Sequence, residues 1–177
     1  MPTAARMRVV RILWAALFAS TATFIVVLFL VPVADEPAPP ILLPIFAALA
    51  ISLAVISVLF PRYAHRLALL RGEFPVEEVD DPDAIGMFRA SAPKKRIFAE
   101  PERTRERAFF CYQTPFILGM ALSEAIAMFG FVLGFLGFPL PHVLPFWAVA
   151  WILFAWRFPT ERKVFEPLET SYKAKLT

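Results

Sequence analysis

Four long apolar runs constrain this chain more than any other feature of its sequence. They cover residues 9–31, 39–60, 108–138 and 141–158, and prolines or charged residues separate them. A transmembrane helix needs about 20 mostly apolar residues to cross a hydrocarbon core of about 30 Å. We therefore expect an all-α membrane protein whose four transmembrane helices form two hairpins, joined by a cytoplasmic linker.

The composition agrees with a membrane protein. Hydrophobic residues make up 59% of the 177 residues and charged residues 19%, whereas a soluble domain has about 45–50% and about 25%. The first run follows a basic start, as a signal peptide would. It is longer than the roughly 7–15 apolar residues of a signal peptide, so we interpret it as a true span.

The Lys and Arg residues predict the orientation of the four spans. The first 11 residues hold three of them, residues 62–107 hold ten, and residues 157–177 hold five, which accounts for all 18. The loops at 32–40 and 139–141 hold none. Positive charge marks the cytoplasmic side, so we expect both termini and the linker in the cytoplasm, in a bacterial inner membrane. The net charge of +3 is then a topology signal beside the lipid bilayer, and we expect no nucleic-acid partner.

These expectations divide the chain into four segments. An N-terminal hairpin covers residues 1–60, a charged linker 61–107, a C-terminal hairpin 108–158 and a cytoplasmic tail 159–177. The linker is predicted to extend the second helix to about Gly72 and to end in a charged helix at 100–107. Between them lie an acidic and a basic patch: Glu77, Glu78, Asp80, Asp81 and Asp83, then Lys94, Lys95 and Arg96. A solvated, self-neutralising linker explains the patches, with partner docking as the alternative.

Glu124 is the only charged residue far from the end of any span. A carboxylate at mid-span costs at least a few kcal/mol in hydrocarbon, and a protonated carboxyl costs less. Such residues mark ion or proton sites, or polar contacts between helices. We therefore treat Glu124 as the main candidate for a functional residue.

Small residues form a stripe along the third span. At about 100° per residue they fall within an arc of roughly 80°, and such stripes let helix backbones approach closely. Glu124 lies beyond the edge of this stripe, where the helix becomes bulky and apolar. The expected helix-packing positions are Gly119, Ser123, Ala127, Gly130, Gly134 and Gly137.

The segment ALSEAIAMFGFVLGFL, residues 121–136, resembles the ion-binding helix of the rotor proteolipid, the c subunit of F-type ATP synthases. In that family Ala follows the central carboxylate, with an aromatic residue five positions on and Gly six positions on. Glu124, Ala125, Phe129 and Gly130 match this pattern. The resemblance implies that Glu124 binds a proton or an ion in a ring, and that Ser123 would supply a hydroxyl. The other spans lack the glycine run of the family's partner helix, so the resemblance is confined to this segment.

No catalytic or metal-binding motif accompanies these features. Cys111 is the only cysteine, and His65 and His142 fall on opposite sides of the predicted membrane. A cysteine cluster or a shared histidine site is therefore excluded. We expect no enzyme activity, no metal and no cofactor.

Two hypotheses remain open at this stage. In the first, the protein self-associates through the third span as a homo-oligomer, of which a ring is one form, and Glu124 is a proton- or ion-responsive carboxyl at the bilayer midplane. In the second, the chain is a non-catalytic structural or accessory subunit of a larger membrane complex, and Glu124 is an interhelical hydrogen-bonding group.

Overall fold

The structure is a computed structural model that describes residues 3–31, 38–80 and 94–176. Helices make up 79% of the described residues, which contain five helices and one two-stranded sheet. The elements are α1 (Thr3–Leu30), α2 (Leu42–Arg71), β1 (Val76–Asp80), β2 (Lys94–Phe98), α3 (Pro101–Phe135), α4 (Leu140–Trp156) and α5 (Glu161–Tyr172).

Three of the helices, α1, α2 and α3, are long and apolar enough to cross a membrane. The number rises to four if α4 and α5 are counted together as one broken span. By itself α4 has 17 residues, a length of about 26 Å. The expectation of a membrane protein built from transmembrane helices is thus confirmed in its coarse form.

The chain forms two compact units. The first unit comprises Met1–Ala64 and Thr114–Pro159, and the second comprises His65–Gln113 and Thr160–Thr177. Both α2 and α3 therefore contribute residues to each unit. The first unit contains α1, α4 and most of the apolar parts of α2 and α3, whereas the second contains β1, β2, α5 and the flanking ends of α2 and α3.

The core of the first unit lies between α2, α3 and α4, and side chains of α1 pack against it. A tight turn connects α3 to α4, where Gly137 has a φ of 86°, a conformation that favours glycine. The next helix starts with proline, which costs little there because the first N–H groups of a helix have no intrahelical partner. The core residues are Ala50, Ile126, Ala127, Leu133, Val143, Phe146, Trp147, Ala150 and Leu153.

The linker contains a β-hairpin that the sequence analysis does not predict. Strands β1 and β2 are antiparallel, with Glu78 opposite Arg96 and Asp80 opposite Lys94. The Arg96 Nε and Glu78 Oε1 atoms are 3.9 Å apart. The acidic and basic patches therefore face each other across the hairpin, while Asp81 and Asp83 lie outside the described residues. The predicted helical extensions at both ends of the linker are confirmed.

The tail folds back as α5 and completes the core of the second unit. Val164 and Leu168 of this helix are fully buried, and Leu168 packs in a cluster with Leu69, Phe74 and Phe98. The hydroxyl of its last residue, Tyr172, lies 3.1 Å from the carbonyl oxygen of Leu69 and 2.9 Å from that of Gly72, and its one hydrogen is donated to one of them at a time. These contacts satisfy carbonyl groups that the end of α2 leaves without helical partners.

Candidate functional site

Glu124 contacts a serine of another helix in the first unit. Ser20, on α1, donates its hydroxyl to Glu124 Oε1 over 2.5 Å. The same Ser20 oxygen lies 2.7 Å from the carbonyl oxygen of Leu17. A serine hydroxyl has one hydrogen and can also accept, so Ser20 donates to only one of these two partners at a time. The Glu124 side chain is half-buried.

Ser123, the other predicted ion-site residue, is directed to a different neighbour. Its hydroxyl donates to the carbonyl oxygen of Gly119 over 2.9 Å. It also accepts a hydrogen bond of 2.5 Å from Arg157 Nη1. Adjacent residues of a helix point about 100° apart, which explains why Ser123 and Glu124 serve different helices. Ser20, and not Ser123, supplies the hydroxyl to the carboxyl.

Arg157 connects three helices at the end of α4. Besides Ser123 of α3, its guanidinium donates through Nη2 to the carbonyl oxygen of Ser57 on α2. It also lies over Gly119, where a Cβ atom would come within 2.9 Å of Arg157 Nε. The absence of a side chain at Gly119 therefore permits the guanidinium to lie close to the α3 backbone.

The small-residue stripe of α3 packs against other helices of the same chain. Cβ atoms added at three glycines would meet atoms of α1, α2 and α4 within 3.4 Å. Ser123 and Ala127 are fully buried, while Gly137 lies in the turn beyond the end of α3. The contacts are Gly119 with Arg157 and Pro61, Gly130 with Phe146, Val143 and Trp147, and Gly134 with Leu28. Self-association through this face stays a prediction.

Two tryptophans add polar contacts between α1 and α4. Trp14 Nε1 donates to the carbonyl oxygen of Phe154 over 2.9 Å. Trp151 Nε1 donates to the hydroxyl of the fully buried Thr21 over 3.0 Å. Together with Ser20 and Glu124, these pairs give α1 polar partners on both α3 and α4.

Sequence reasoning missed Ser20 and assigned Arg157 only to the end of a span. A signal was present, because Ser20, Thr21 and Thr23 interrupt an otherwise apolar stretch of the first span. Polar side chains at that depth usually hydrogen-bond to a neighbouring helix. The sequence did not indicate which helix that would be.

The remaining candidate ligands are not gathered into a site. In the parts of the chain that the structure describes, no group of three or more His, Cys, Asp or Glu residues is arranged to hold a metal ion. His65 is buried beside the ring of Tyr112, at 5.6 Å between centroids, and His142 is exposed on α4. Cys111 lies 3.7 Å from the carbonyl oxygen of Ala68.

No protein-family model, curated protein or solved structure matches this chain.

Proposed function

We propose that this chain is a non-catalytic structural or accessory subunit of a larger membrane complex. Its α1 to α4 would cross a bacterial inner membrane as two hairpins, with both termini and the linker in the cytoplasm. The observation that carries the proposal is the hydrogen bond between Ser20 and Glu124, which gives the carboxyl a partner within its own chain. A polar group used in this way stabilises helix association.

The packing of α3 supports the same proposal. A ring built through the small-residue stripe would need this face to be open to a second copy. Gly130 and Gly134 are instead covered by α4 and α1. Close helix packing is therefore achieved within one chain, which leaves the lipid-facing surfaces of the other helices for contacts with partner subunits.

The second unit supports a role in assembly. The linker and the tail, which are separate in sequence, share one apolar cluster, and the acidic and basic strands pair across the hairpin. A folded unit of this kind would present a defined surface to a protein partner. Flexible charged tails would bind by folding on contact, at a cost in ordering.

The oligomeric mass of the purified chain tests the proposal. We expect the chain expressed alone to be monomeric in mild detergent, and the Glu124→Gln variant to have the same mass. The amide oxygen of Gln still accepts a hydrogen bond from Ser20, so assembly with partners should persist. A homogeneous ring formed by this chain alone would contradict the proposal and favour the self-association hypothesis.

One observation favours a second candidate function, a proton-responsive carboxyl. Because Ser20 lies within hydrogen-bond distance of both Leu17 O and Glu124 Oε1, either protonation state of the carboxyl can be satisfied. An ionised Glu124 would accept from Ser20. A protonated Glu124 would donate to the Ser20 oxygen, while Ser20 donates to Leu17. A hydrophobic carbodiimide should then label the wild-type chain and spare Glu124→Gln, and equal labelling of the two would remove Glu124 as the reactive group.

A further inference from the structure

An apolar groove runs along the first unit between α2 and α4. It has a volume of about 370 Å³, which falls within the range of ligand-binding clefts. Its α2 wall contains Ala50 and Ala54, its floor contains Ile126 of α3, and its α4 wall contains Pro145 and Val149. The small side chains on α2 leave the space that gives the groove its depth.

A cationic and aromatic pair lies on the same helix faces as the two walls. The guanidinium carbon of Arg62 lies 4.5 Å from the centre of the Trp156 ring. Arg62 is seven residues beyond Val55 of the α2 wall, and Trp156 is seven beyond Val149. Seven residues complete two helical turns to within about 20° and advance by about 10 Å. The pair therefore lies about 10 Å beyond these wall residues, along the same faces of α2 and α4.

We propose that this groove binds an acyl chain of an anionic phospholipid, and that Arg62 binds the phosphate of that lipid. The groove offers only apolar side chains along its length, as a hydrocarbon chain requires. Arg62 is exposed and carries the charge that complements a phosphate. Tryptophan is typical of the level at which lipid headgroups begin. The proposed topology, on which this inference depends, places that level in the cytoplasmic leaflet, where anionic lipids attract basic residues.

A transmembrane helix of a second copy fits the groove less well than a lipid. A helix seated along the whole groove would cover Arg62 and would have to provide a negative partner at that position. The mid-span carboxyl, Glu124, does not fill this role, because it lies far from the span end at which Arg62 is found and accepts a hydrogen bond from Ser20 of its own chain. A phospholipid brings both the apolar chain and the negative charge.

Native mass spectrometry of the full chain tests the lipid site. The protein would be released from micelles that contain equal amounts of phosphatidylglycerol and phosphatidylcholine, and the retained lipids counted. We expect wild type to retain phosphatidylglycerol preferentially. Arg62→Gln should lower that preference about fivefold, the factor that corresponds to about 1 kcal/mol for one basic residue near an anionic surface. Arg11→Gln, which removes an exposed arginine of α1, is the matched control and should leave the preference for phosphatidylglycerol unchanged.

A second variant tests the apolar part of the site. Ala54→Phe would fill the groove and should reduce retention of both lipids, whereas Val26→Phe, at a position 54% exposed on α1, should not. Because Ala54→Phe could impair folding, Arg62→Glu provides an independent test at an exposed position, and the preference for phosphatidylglycerol should fall further than in Arg62→Gln.

Two results would overturn the lipid site. One is an unchanged lipid preference in both Arg62 variants. The other is a groove variant that keeps its lipids but changes the oligomeric mass, which would show that a second copy occupies the groove. Neither measurement needs a partner subunit, so failure of the lipid site is distinguishable from failure of the proposed role in a complex.

Discussion

Ser20 of α1 donates a hydrogen bond of 2.5 Å to Glu124 of α3, across 104 residues of sequence. On the neighbouring face of α3, Ser123 accepts a bond from Arg157. Two consecutive residues thus link α3 to both ends of the chain's apolar region, α1 on one side and the end of α4 on the other. This arrangement makes the middle of α3 the point where the packing of the first unit is most dependent on polar side chains.

The Ser20–Glu124 contact should appear as a coupling energy between the two residues. In a double-mutant cycle of Ser20→Ala and Glu124→Leu, we expect a coupling of about 0.6 kcal/mol, and at most about 1.7, which are the values found for hydrogen bonds between membrane helices. Chemical unfolding in detergent would measure it. Glu124→Gln, which keeps the acceptor, should retain most of the stability. Strictly additive effects of the two substitutions would show that the contact does not stabilise the protein.

The glycines of α3 should differ in their tolerance of a methyl group. At Gly130 an added Cβ would lie 2.9 Å from Phe146 Cβ and 3.2 Å from the backbone oxygen of Val143. At Gly119 it would meet the side chains of Arg157 and Pro61 instead. Backbone atoms yield less than the end of a flexible side chain. Gly130→Ala should therefore cost about 1–3 kcal/mol, as overpacking does, and Gly119→Ala less.

Thermal unfolding of the two glycine variants in the same detergent measures this difference. Equal stability of Gly130→Ala and wild type would mean that α3 and α4 separate more easily than the contacts at Gly130 indicate.

The helices could be predicted from sequence because hydrocarbon thickness imposes a length on any apolar run. The predicted extension of α2 beyond the apolar run is observed as far as Arg71. It could be predicted because no strong helix breaker lies between Pro61 and Gly72. The β1–β2 hairpin was not predicted. Its strands, VEEVD and KKRIF, are short and mostly charged, so they lack the alternation that identifies a half-buried strand.

The partner of Glu124 could not be predicted because it depends on tertiary packing. Periodicity shows which residues share a face of α3, and it places Glu124 beyond the edge of the small-residue stripe. It does not show which helix packs against each face. Ser20 and Arg157 reach α3 only after the four helices have packed, and no pattern within a single segment records that arrangement.

Arg157 should not be replaceable by lysine. Its guanidinium binds Ser123 and the carbonyl oxygen of Ser57 through two different nitrogens, whereas an ammonium group is a compact point charge without this fork. Hydrogen bonds to charged groups contribute about 1.5–3 kcal/mol, so Arg157→Lys should lower the unfolding free energy by about that amount. The matched control is Arg162→Lys at an exposed pair with Glu166, where solvent screens the ion pair and little change in the unfolding free energy is expected. Equal losses in the two variants would contradict the bridging role.

Tyr172 should make the second unit sensitive to alkaline pH. Burial, and then the charge of Cys111, raise the pKa of the Tyr172 hydroxyl above its ordinary value of 10.0. The folded state therefore favours the neutral hydroxyl, which can donate to the carbonyl oxygen of either Leu69 or Gly72. The contribution of this neutral hydroxyl to the free energy of unfolding is fully present below pH 10. It is lost as the pH rises through the folded-state pKa of Tyr172.

Tyr172→Phe removes the hydroxyl and should cost about 1 kcal/mol at neutral pH. The unfolding temperature should then fall less between pH 8 and a pH above 10 for Tyr172→Phe than for wild type. The same loss in both proteins would assign the alkaline sensitivity to another group.

The proposed topology predicts opposite labelling of two engineered cysteines. With Cys111 replaced by alanine, a single cysteine at Glu36 would lie in a loop that has no basic residue, and one at Glu161 would lie at the exposed start of α5. An impermeant maleimide added to intact cells should modify the Glu36 variant alone, and both after the cells are opened. Because basic residues resist translocation, reversal would require the ten basic residues of 62–107 and the five of 157–177 to cross the membrane. Labelling of the Glu161 variant in intact cells would therefore contradict the orientation and would also place Arg62 in the outer leaflet.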